Sequence, residues 1–169
     1  MNKDIIVFTL LFVILVALQV LICNHIAIFN VAVPIIFIYF IIRLPIALGK
    51  GALFTLSFFL GLTVDIFSDT PGVNALACTL LSGVKKPMFF AYVDKDDKTK
   101  EITPTVSTMG VAPYCKYLVT MVGIYCLLVF SIDFFSFANI KDIVILAASS
   151  CALTFVSILA IDCLILSKS

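Results

Sequence analysis

An acidic residue inside a long apolar run is the first place to look for chemistry, and the chain has one at Asp65, within residues 61–77, GLTVDIFSDTPGVNALA. At the centre of a membrane helix such a group costs about 3 kcal/mol unless it faces protein or water, which makes Asp65 a functional-site candidate. Gly61 lies one turn earlier on the same face, where the missing side chain lets a neighbouring helix approach and supply a donor. Thr70 is placed to cap the following helix, with Pro71 at its first position and Gly72 easing the reversal. Asn74 then falls just inside that helix, within reach of Asp65 across the hairpin. Two roles fit this group: it fastens the hairpin near the outer water boundary, or it lines a surface or pocket that another molecule uses.

Asp162 is the second acid in an apolar run and the secondary candidate. It is expected to reach interfacial water or to pair with Lys85 or Lys86. Ala148, Ser149, Ala152 and Ser157 on the same run suit close helix packing. The six cysteines have no close CxxC spacing and read as small packing residues, and His25 is the sole histidine. Hence no multi-histidine metal site and no histidine dyad can be built. Neither the clustered carboxylates of metal-assisted phosphoryl transfer nor a serine paired with histidine or lysine is found, so no enzyme and no cofactor is expected. The acids Asp94, Asp96, Asp97 and Glu101 alternate with Lys95, Lys98 and Lys100 and read as a solvated loop.

These residues must be held by elements that the composition already constrains. Of 169 residues, 63% are apolar and 12% charged, against about 45–50% and about 25% in soluble domains, and the mean hydropathy is +1.23. Such a chain cannot cover itself with polar surface, which argues against a soluble enzyme, a nucleic-acid-binding module or a disordered linker. At roughly 20 apolar residues per crossing, the charged residues and breakers divide it into six transmembrane helices, over 5–23, 26–42, 45–67, 72–92, 114–137 and 143–166. They form one all-α integral membrane domain spanning 1–169, with a cytoplasmic loop at 93–113. Pro34 is read as a kink inside the second span, and the first run is expected to stay as a membrane helix rather than be cleaved. With both termini cytoplasmic, ten of the eleven Lys and Arg residues lie inside and only Lys141 outside. Tyr39, Tyr92, Tyr114 and Tyr117 are expected to form the aromatic belt at the inner boundary.

The run at 61–77 resembles the central hairpin of the MreD family of rod shape-determining proteins. Residues 107–110 (STMG), 130–139 (FSIDFFSFAN) and 150–154 (SCALT) extend the likeness over most of the chain. The resemblance implies a multi-pass protein of the bacterial inner membrane that belongs to the cell-elongation machinery and controls cell shape and peptidoglycan synthesis. It implies MreC as direct partner, RodA and a penicillin-binding transpeptidase nearby, and contact with MreB filaments on the cytoplasmic side. It also implies a fold similar to the substrate-binding subunits of energy-coupling-factor transporters, which makes a vitamin-binding transport subunit the alternative. Those subunits dock through small residues four apart on the first helix, whereas Thr9, Ala17 and Cys23 are the small residues of the first run here and lack that spacing.

Overall fold

The computed structural model describes residues 2–23, 34–68, 70, 72–93, 103–133 and 140–166. Among these the chain is all-helical and contains no strand. Helix α1 (Asn2–Leu18) continues into one π-helical turn (Gln19–Cys23), followed by α2 (Ile38–Arg43), α3 (Lys50–Ser68), α4 (Val73–Tyr92), α5 (Val106–Met109), α6 (Val111–Asp133) and α7 (Ile140–Leu166). Helices α3 (Lys50–Ser68) and α6 (over Val111–Ile132) are each long and apolar enough to cross a membrane, and shorter apolar stretches cover Ile6–Leu21 and Ala148–Asp162. At 1.5 Å per residue α3 is about 28 Å long and α6 about 34 Å.

The helices are apolar on the outside as well as in the core, and a few polar residues are buried. Ile6, Leu10, Leu21, Phe59, Ile66, Leu127 and Val156 are exposed, whereas Gln19, Asp65, Lys85 and Asp162 are buried. An exterior this apolar suits lipid, where a buried polar group has to find its partner within the protein, and among the described residues Ser57 Oγ and the Tyr117 hydroxyl are the buried side-chain atoms that find none. Helix α3 pairs with α4, α4 with α6, and α6 with α7. The buried stripe of α6 (Tyr114, Tyr117, Leu118, Met121, Val122, Tyr125, Cys126) recurs at spacings of three and four, as one helix face requires.

Three expectations change. The second span is not one continuous helix over 26–42: residues 34–36 are non-helical, α2 covers only Ile38–Arg43, and 24–33 lie outside the described residues. Pro34 has no amide hydrogen and disfavours helix before it, and side chains take over the bonds a helix would have made. Gln19 Nε2 donates to the Pro34 carbonyl at 3.1 Å, Gln19 Oε1 accepts from Ile36 N–H at 2.9 Å, and Thr154 Oγ1 accepts from Ile35 N–H at 2.9 Å. Second, Tyr39, Tyr114 and Tyr117 are fully buried rather than set in an interfacial belt. Third, the packed face of α7 is Ser150, Thr154, Ile158 and Asp162, four residues apart, while Ala148 and Ala152 are exposed.

Candidate functional site

The first buried carboxylate closes the α3–α4 hairpin. Backbone approaches backbone at Gly61, where an added Cβ would lie 2.5 Å from Ala75 Cα and 2.6 Å from Ala75 N, closer than real atoms come. That contact brings the start of α4 onto Asp65. The turn between the helices is made by Gly72, at φ 79°, and α4 begins at Val73. The amides at the second and third positions of α4 point at the acid: Asn74 N–H donates to Asp65 Oδ1 at 3.0 Å, and Ala75 N–H to Oδ2 at 2.8 Å. Asp65 therefore caps α4 from the neighbouring helix, with its negative charge at the positive end of the helix dipole. Thr70 Oγ1 at 2.5 Å and Asn74 Nδ2 at 2.9 Å also donate to Oδ1, and Asn74 Oδ1 accepts from Tyr125 O–H at 2.6 Å, tying α6 to the hairpin. Thr70 thus spends its hydroxyl on Asp65 instead of capping α4 itself, where Gly72 is the flanking residue and makes no side-chain cap. Pro71, expected at the first helical position, lies outside the described residues.

The second carboxylate joins three elements far apart in sequence. Tyr39 O–H on α2 donates to Asp162 Oδ1 at 2.5 Å, and Tyr114 O–H on α6 donates to Oδ2. The Arg43 guanidinium lies 5.6 Å from the centre of the Tyr39 ring, one helical turn along α2. Neither lysine expected beside Asp162 goes there. Lys85 is fully buried, and its Nζ donates to the carbonyls of Ile41, at 2.7 Å, and Leu44, terminating α2. Lys86 Nζ donates to the Leu48 carbonyl at 2.8 Å. Both lysines instead satisfy carbonyls at and beyond the C-terminal end of α2, where a helix leaves its last carbonyls short of amide partners.

The structure therefore brings Gly61, Asp65, Gly72 and Asn74 together and sets Asp162 in a separate cluster. No protein-family model, no curated protein and no solved structure matches this chain. Asp65 and Asp162 are 3% and 4% exposed, so neither presents a free carboxylate to a substrate. Among the described residues there is no group of three His, Cys, Asp or Glu side chains able to hold a metal ion. Sequence reasoning missed Gln19, Thr154 and the donor roles of Tyr39, Tyr114 and Tyr125. The tyrosines had a signal: on α6 they share the spacing of the buried stripe, so their hydroxyls had to face inward. The clamp by Gln19 had none, because it depends on a break in α2 that hydropathy does not reveal.

Proposed function

We propose that this chain is a non-enzymatic scaffold of the bacterial inner membrane, of the MreD kind, crossing the bilayer six times with both termini cytoplasmic and holding MreC beside the cell-elongation machinery. The observation that carries the reading is the closure of the α3–α4 hairpin. Asp65 spends its oxygens on donors from this same chain, leaving no polar notch for a small molecule, while α3 turns Phe54, Phe58 and Phe59 outward. A rigid hairpin with an apolar outer face is suited to receiving a partner's membrane helix, where close packing supplies the affinity. On this reading Asp65 acts on partner binding indirectly, by fixing the angle at which α3 is presented.

The test is recovery of MreC with the tagged chain from detergent-solubilised membranes. Joint substitution of Phe58 and Phe59 by alanine should reduce recovery while the hairpin stays folded, and Asp65→Leu should reduce it together with stability. A vitamin bound in one-to-one ratio to the purified chain, with no MreC, would replace this reading by the transport-subunit alternative.

A further inference from the structure

The outer face of α6 carries an arrangement that neither the hairpin nor the Asp162 cluster uses. Lys116, Val119, Gly123 and Leu127 lie at spacings of three and four, so they form one stripe. Lys116, Val119 and Leu127 are exposed, and an added Cβ at Gly123 would meet nothing within 4 Å. A helix-interior glycine costs about 1 kcal/mol relative to alanine. No close approach of another element accounts for it, and it leaves a notch in line with the lysine. Above the notch is a cleft of about 330 Å³ lined by Tyr92 at the end of α4 and by Cys115, Lys116, Val119 and Thr120. Thr120 O–H donates to the Lys116 carbonyl at 2.8 Å, which leaves Thr120 Oγ1 to accept from Tyr92 O–H at 2.8 Å. The hydroxyls thus brace α4 against α6, and the Lys116 ammonium has no partner among the described residues.

Lys116 is five residues into α6, about 7.5 Å from its start along the axis. In a hydrocarbon core about 30 Å thick, a helix of this length places that ammonium close to the headgroup boundary and the glycine notch about 10 Å deeper, roughly a third of the core. We propose that this stripe binds one anionic phospholipid, its headgroup phosphate on the Lys116 ammonium in the cleft and an acyl chain laid over Val119, Gly123 and Leu127. A cation at headgroup depth above a groove in the hydrocarbon zone selects a lipid with net negative charge over a zwitterionic one. The inference rests on the membrane placement proposed above and is independent of the scaffold role.

The test is native mass spectrometry of the full chain in detergent, titrated with phosphatidylglycerol or with phosphatidylcholine of the same acyl chains. One phosphatidylglycerol should be retained about fivefold more tightly than phosphatidylcholine, the effect of one lysine at a membrane surface. Lys116→Gln should abolish that preference, and Lys50→Gln, at an exposed lysine on α3, should leave it. Gly123→Leu should weaken both lipids alike with helicity unchanged, since the added side chain fills the notch and displaces nothing. Millimolar inorganic phosphate should not compete. Equal retention of the two lipids by the wild-type chain, a preference that survives Lys116→Gln, or indifference to Gly123→Leu would each overturn the proposal. Release of the chain from membranes by alkaline carbonate would instead overturn the membrane placement beneath it.

Discussion

The two buried acids solve the same problem with different donors. Asp65 takes its bonds from residues five to ten positions away, and two of the donors are backbone amides at the start of α4. Asp162 takes its bonds from tyrosines 123 and 48 positions away on α2 and α6. The first cluster forms whenever the hairpin forms. The second exists only once α2, α6 and α7 are assembled. A backbone N–H can only donate, whereas a tyrosine hydroxyl donates or accepts. Each oxygen of Asp65 therefore faces one fixed backbone donor, whereas both donors to Asp162 are hydroxyls that can turn to accept.

The comparison is strained most by Asp65→Leu, which removes the cap of α4 and strands the Asn74 and Ala75 amides together with the Thr70 hydroxyl. A loss of about 3–5 kcal/mol is expected, as when one partner of a buried charged interaction is deleted. Reversible unfolding in mixed detergent measures it, and a loss below about 1 kcal/mol would mean that water or another donor set replaces the acid. Gly61→Val tests the backbone approach beneath the cluster while keeping every donor and acceptor of the cluster in the sequence. The new side chain must push Ala75 away, at about 1–3 kcal/mol. Amide exchange should rise at Asn74 and Ala75 and stay unchanged in α7.

The same contrast in sequence separation governs what could be read from the sequence. Gly61, Asp65, Gly72 and Asn74 lie within fourteen residues on one hairpin, so helical spacing and turn chemistry suffice to bring them together. The reversal at Gly72 is legible for the same reason, while α4 starts at Val73, later than the first helical position expected. Tyr39 and Asp162 meet through the packing of α2, α6 and α7, which no local pattern encodes. The break before α2 is hidden because hydropathy measures how apolar a segment is and is blind to where its amide hydrogens bond. Lys85 illustrates the cost of that blindness. Its position among the inner charges offered it as a partner for Asp162, but the carbonyls of Ile41 and Leu44 hold it fully inside. Charge sidedness counts residues and does not see burial.

Tyr125→Phe sharpens the comparison at smaller amplitude, because it deletes one bond to Asn74 and leaves the acid and both amides in place. A cost of about 1 kcal/mol is expected, measured by the same unfolding. The finest test replaces each acid by its amide. In Asp65→Asn the new NH2 group must face at least one donor that cannot turn around, since Asn74 N–H and Ala75 N–H approach different oxygens of the carboxylate. The charge that complements the α4 dipole is lost as well, so a cost of about 2–3 kcal/mol is expected. In Asp162→Asn one tyrosine still donates to the amide oxygen, and the other can rotate its hydroxyl to accept from the NH2 group, for a cost below about 1 kcal/mol. Equal costs at the two sites would mean that the tyrosine hydroxyls are as fixed as backbone amides.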